Sequence, residues 1–145
     1  MKYLLPFWNY PISFSLTFVT GILLVWQYLG TKGTVGHVTR WAAAFFISVS
    51  VVYMNTVTVL NQPRTPITNL WHLRFMAFHQ NVGLLYFGLM VAMPVLGGFL
   101  RMALSHGWPT SCVLRSAHKW AGYATGACWL VSNVASEIGS RIPRV

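Results

Sequence analysis

The chain has 145 residues, 55% of them apolar and only 8% charged, with ten Lys and Arg, a single acidic residue and a formal net charge of +9. A water-soluble domain carries roughly a quarter charged residues, so this composition excludes most soluble classes and predicts an exterior that faces lipid. The absence of Asp and the lone Glu137 exclude catalysis by paired carboxylates, and neither a Gly-rich phosphate loop nor a nucleophile elbow occurs.

Charged residues punctuate the chain, and the gaps between them predict its elements. The uncharged stretch between Lys2 and Lys32 predicts a first helix over about residues 11–31. It is too long for a secretory leader and no small-residue cleavage site ends it, so it is read as a retained helix. WAAAFFISVSVVYMNTVTVLNQP, between Arg40 and Arg64, predicts a second helix over about 38–61. FMAFHQNVGLLYFGLMVAMPVLGGFL, between Arg74 and Arg101, predicts a third over about 74–101, with a kink expected at Pro94. The last gap, Lys119 to Glu137, predicts a fourth over about 116–137 if Lys119 snorkels to the headgroups. Each gap approaches the roughly 20 residues that an α-helix needs to cross a hydrocarbon core. The runs are continuously apolar and do not alternate, which excludes a barrel. The expected fold is therefore all-α: an integral membrane, up-and-down four-helix bundle forming one transmembrane domain over 1–145.

Trp8, Trp26, Trp41, Trp71, Trp108 and Trp120 fall near the predicted span ends, as an interfacial aromatic belt requires. The basic residues form no patch, which argues against a nucleic-acid partner. Up-and-down threading puts Lys2, Arg64, Arg74, Arg141 and Arg144 on one membrane side, and Lys32, Arg40, Arg101, Arg115 and Lys119 on the other. This even split leaves the orientation undecided. Cys112 and Cys128 have no ligand-like or redox spacing.

Histidine is the chemistry that remains, because ionisable side chains near membrane depth are costly to keep. His37 precedes the second predicted span and His118 the fourth, on one expected membrane side; His72 and His79 open the third span on the other, and His106 follows it. A b-type haem takes two neutral imidazoles from opposite faces, supplied in a bundle by different helices, and His37 with His118 meets that demand. His72 and His79 lie on one helix about 10.5 Å apart along its axis and cannot bracket one iron. Four residues after His79 comes Gly83, and four after His118 comes Gly122. On a helix each Gly leaves a recess beside its imidazole in which a flat macrocycle could lie. Close helix packing in lipid explains the same spacing, and interfacial histidines bonded to headgroups or loop carbonyls remain the alternative to haem.

The order of these motifs resembles the bacterial cytochrome b561 family. The third predicted helix, with His79, Tyr86, Pro94, Leu96 and Gly97, is similar to the family's third helix; LNQPRTPITNL resembles the connection after its second; AHKWAGY resembles the start of its fourth. The resemblance implies a multi-pass protein of a bacterial or mitochondrial inner membrane. It implies one b-type haem ligated by His37 and His118, and electron exchange with quinone, quinol or a partner redox protein of a respiratory chain. Arg40, one turn from His37, and Arg115 and Lys119, flanking His118, are placed either to neutralise haem propionates or to anchor the helices at the interface. The family's histidine at the start of the first helix is replaced here by the FWNYPISF segment with Asn9 and Tyr10, and its later histidine in the fourth helix falls where Leu130 and Asn133 stand. His79 thereby loses an evident partner, so at most one haem is expected. The rival expectation is a haem-free or haem-sharing structural subunit of a larger respiratory or photosynthetic complex, with His79 as ligand and a second chain supplying the other.

Overall fold

The computed structural model describes residues 5–29, 34–61 and 66–144, without the side chains of residues 5–10, 28, 34, 59 and 61. Lys2, Lys32 and Arg64 lie outside the described residues, as do the side chains of Trp8, Asn9 and Tyr10. Four helices follow one another: α1 (Leu5–Leu29), α2 (Thr34–Asn61), α3 (Leu70–Ser105) and α4 (Ser111–Arg141), with no strand among the described residues. Two are long and apolar enough to cross a membrane, α2 over Val35–Thr58 and α3 over Leu70–Ser105. The chain divides into two compact units, 1–65 and 66–145. In each, two consecutive helices pack together, α1 with α2 and α3 with α4.

α2, α3 and α4 run beyond the predicted spans because charges end an apolar run without ending a helix. Arg74, Arg101, Arg115, Lys119 and Glu137 all lie inside helices, and α3 continues through Pro94. Capping chemistry sets the ends instead. The Asn69 side chain accepts from the backbone N–H groups of Trp71 and His72, satisfying two of the orphan donors at the start of α3. At the other end Gly107 takes φ +65°, and Trp108 N donates to Ala103 O at 2.9 Å. This is the six-to-one bond of a Schellman stop, which needs a residue free to turn left-handed. Residues 106–110 then lead directly into α4, and the hairpin is closed at its far end, where Thr68 N and Asn69 N both donate to Arg144 O at 2.9 and 3.1 Å.

Within each hairpin the buried positions recur at helical spacing, and those of α4 are all small or hydroxylated. In the first they are Ser13, Thr20 and Leu24 on α1, and Trp41, Ala44 and Ser48 on α2. In the second, Tyr86, Met90, Met93 and Ala103 on α3 are matched by Gly122, Thr125, Ser132, Ala135 and Gly139 on α4. Three hydroxyls in these rows return to their own helix: Thr20 donates to Leu16 O, Ser48 to Ala44 O and Thr125 to Ala121 O. Small side chains let two backbones approach closely where lipid-like surroundings supply no hydrophobic drive. Large apolar side chains are left outside, Leu84 at 73% exposure and Phe18 at 62% among them, the reverse of a soluble bundle.

The two helices come close at Gly139, where a Cβ would lie 3.2 Å from Met76 Sδ and 3.3 Å from Phe75 Cβ. Gly139→Leu is expected to destabilise the α3–α4 hairpin by about 1–3 kcal/mol through overpacking, seen as a lower unfolding midpoint by circular dichroism, whereas Gly98→Ala, with nothing within 4 Å of its Cβ position, leaves the midpoint unchanged.

Candidate histidine sites

In the first unit, His37 is half-buried in the opening turns of α2. Its carbonyl accepts from Gln27 Nε2 at 2.8 Å, which ties the last turn of α1 to the first turns of α2. One turn on, the Arg40 guanidinium carbon lies 5.4 Å from the centroid of the Trp26 ring, within cation–π range. Gly36 makes room for this pose, since a Cβ there would stand 3.1 Å from an Arg40 terminal nitrogen. The α1–α2 packing thus brings His37 and Arg40 together with Gln27 and Trp26, two residues that the gaps between charges gave no reason to select.

In the second unit the remaining histidines separate into two ends. His118, half-buried on α4, sits against α3 at Gly97, where a Cβ would lie 3.3 Å from its Cε1 and 3.8 Å from its Nδ1. The glycine that makes room for this imidazole is therefore across the hairpin. Gly122, one turn further along α4, is buried. Arg115 and Lys119 are exposed and, with Ser111, Cys112 and Ser116, line a shallow depression on the first turns of α4. Lys119 Nζ lies 5.8 Å from the Tyr123 ring centroid.

His79 lies at the other end. Its Nδ1 is 2.8 Å from Ser132 O and 3.0 Å from Ser132 Oγ, while that hydroxyl donates to His79 O at 3.3 Å. A carbonyl oxygen can only accept, so Nδ1 carries the proton, and in the neutral ring Nε2 keeps its lone pair. Gly83 faces the same serine, with its Cβ position 3.6 Å from Ser132 Oγ, so α4 occupies the recess that the spacing of His79 and Gly83 creates. Gly97 lies about 27 Å further along α3 than His79 at the rise of an α-helix, and His79 and His118 cannot bracket one iron. His72, 5% exposed, donates from Nδ1 to Ile142 O at 3.0 Å, and His106 caps α3 with Nδ1 2.9 Å from Met102 O. These two bind their own hairpin, one by bonding the chain beyond α4 and one by closing a helix.

Ser132 and Gly97 are the partners that sequence reasoning missed. Nothing in the neighbourhood of His79 or His118 points to them, because each stands in the opposite helix.

No family model matches the chain, and no curated protein or solved structure matches it either.

The His79–Ser132 link yields a test. His79→Ala is expected to cost about 1–2 kcal/mol by leaving Ser132 groups unsatisfied. His79→Asn, whose amide can donate to the same carbonyl, should recover part of that loss. Equal destabilisation by both variants in thermal unfolding would show that the imidazole contributes packing alone.

Proposed function

We propose that the chain is a multi-pass membrane electron carrier of the cytochrome b561 kind, holding one b-type haem with His37 and His118 as axial ligands. The membrane reading is supported by four long helices, by the two that are long and apolar enough to span, and by large apolar side chains left outside the hairpins. α1 and α4 complete the crossings in this reading, with Trp26, Trp71 and Trp120, all exposed, at interfacial depth.

The observation that carries the haem reading is the seat of His118. Its half-buried imidazole occupies a glycine cradle at Gly97, at an end of the hairpin where Arg115 and Lys119 bring positive charge. His37 supplies the second half-buried imidazole, one turn from Arg40; its pairing with His118 is taken from the order of the sequence motifs. These residues fit the group in donor chemistry, offering two imidazoles for an iron and three cations for two carboxylates. Bound haem supplies a one-electron couple, and quinol, quinone or a redox protein of an inner membrane is the proposed partner. The chain's own part is to hold two imidazoles in place and to balance the carboxylates' charge.

A second reading is favoured by His79. A ring whose Nδ1–H is tied to a backbone carbonyl presents Nε2 in the way a metal-bound histidine does, yet no second described histidine lies at that level of the α3–α4 hairpin. A haem shared with another chain, or a subunit of a larger redox complex that has kept the hydrogen bond and lost the cofactor, accounts for this arrangement.

The first reading predicts that wild type remains in the membrane after carbonate extraction and that its reduced-minus-oxidised visible spectrum shows a b-type α-band. His118→Ala should abolish the band while His79→Ala keeps it. Loss of the band only in His79→Ala, with haem at about half an equivalent per chain, would transfer the assignment to the shared site; a colourless, membrane-inserted wild type that co-purifies with large redox subunits would leave the structural subunit.

A further inference from the structure

The imidazole of His118 rests edge-on against α3, and that orientation separates its two nitrogens. A Cβ at Gly97 would lie 3.3 Å from Cε1 and 3.8 Å from Nδ1, with Nε2 beyond 4 Å. Nδ1 is also fully enclosed, so the Nδ1–Cε1 edge faces into the hairpin and Nε2 is the nitrogen turned away from α3. The half-buried ring reaches this depth because residue 97 carries no side chain. A methyl group 3.3 Å from Cε1 would stand inside the about 3.5–4.0 Å of an ordinary carbon–carbon contact and would push the ring outward. The neighbouring Gly98 has nothing within 4 Å of its Cβ position, so the fit belongs to residue 97 alone. It also differs from the other close glycines of this hairpin. At Gly139 the nearby atoms are those of Phe75 and Met76, and at Gly83 the Ser132 hydroxyl, whereas at Gly97 both atoms within 4 Å belong to the imidazole.

We propose that Gly97 is a positioning residue for the His118 ligand: it sets how deeply the imidazole sits and which nitrogen it offers, with Nδ1 turned into the hairpin and Nε2 left to bind iron. The inference rests on the haem reading of His118 and adds to it a residue on the opposite helix, which acts only through that ring. Groups behind a metal ligand tune the metal by fixing the ligand's orientation, and the way an axial imidazole is held is one of the means by which a protein adjusts haem. A small outward displacement of the ring therefore changes the properties of the iron without removing its ligand, and a larger side chain at residue 97 closes the seat.

Two measurements on the full chain in detergent test this. The first needs no haem and is a double-mutant cycle of Gly97→Ala and His118→Ala, read as thermal-unfolding midpoints. Gly97→Ala should be better tolerated in the His118→Ala background than beside the intact imidazole. Equal shifts in the two backgrounds overturn the proposal, because the added methyl then does not meet the ring. The second measurement follows the haem by its visible spectrum, the low-spin g values of the oxidised iron in electron paramagnetic resonance, and its reduction potential. Gly97→Ala should keep the α-band and shift both the g values and the potential, Gly97→Leu should lose the band as His118→Ala does while remaining in the membrane, and Gly98→Ala should match wild type throughout. Where His118→Ala does not fold, the haem signals of Gly97→Ala decide alone, since that variant keeps the ligand. Haem-loaded wild type and Gly97→Ala with the same g values and potential overturn the positioning role and leave the haem reading standing. A colourless wild type overturns the haem reading and this inference together.

Discussion

The buried polar groups described in this protein that form hydrogen bonds find their partners on their own helix or on the helix beside it, in a sequence that contains one acidic side chain. The rest of the structure follows from that constraint. The hydroxyls of Thr20, Ser48 and Thr125 turn back to the carbonyl four residues earlier, and that of Ser132 crosses to His79, which avoids the penalty of an unbonded group in an apolar setting. His72, His79 and His106 each place Nδ1 against a backbone carbonyl, so their tautomers are settled by the backbone and not by a charged partner. The one ion pair among the described side chains, Glu137 with Arg141, is exposed and local, and pairs of that kind contribute little.

The same constraint shapes the packing. α4 meets α3 through glycine, alanine, serine and threonine, while α3 buries Tyr86, Met90 and Met93, and close approach and van der Waals contact hold the pair. Glycine acts here as a spacer. At Gly139 the room is taken by Phe75 and Met76, and at Gly97 by the imidazole of His118. A row of small residues that reads as simple helix packing thereby also determines where a histidine can sit half-buried, and the functional reading of His118 grows out of packing geometry. Arg40 is the exception: a half-buried cation set against the Trp26 ring, whose enclosed Nε has no hydrogen-bond partner among the described residues.

Charge spacing made the four helices legible in the sequence, since uncharged runs of this length have few other folded solutions. Their ends were less legible: Asn69, Gly107 and the tail at Arg144 set them, and all helices except α1, which ends at Leu29, extend to or past the predicted C-terminal limits. The division into two hairpin units was not visible either, because a continuous alternation of apolar runs and short connections describes one bundle or two pairs equally well.

For the histidines, the sequence by itself determined which side chains could carry chemistry, because a chain without Asp and with one Glu leaves imidazole as the main side-chain ligand for a metal. It also determined that His72 and His79 share a helix and that His79 and His118 belong to different ones. What surrounds each ring was decided only by tertiary structure: Ser132 lies 53 residues from His79, and Gly97 reaches His118 across the turn between α3 and α4. The physical reason is that helical periodicity specifies which face a residue occupies, whereas the level at which two antiparallel helices meet is set by where small residues allow their backbones to close.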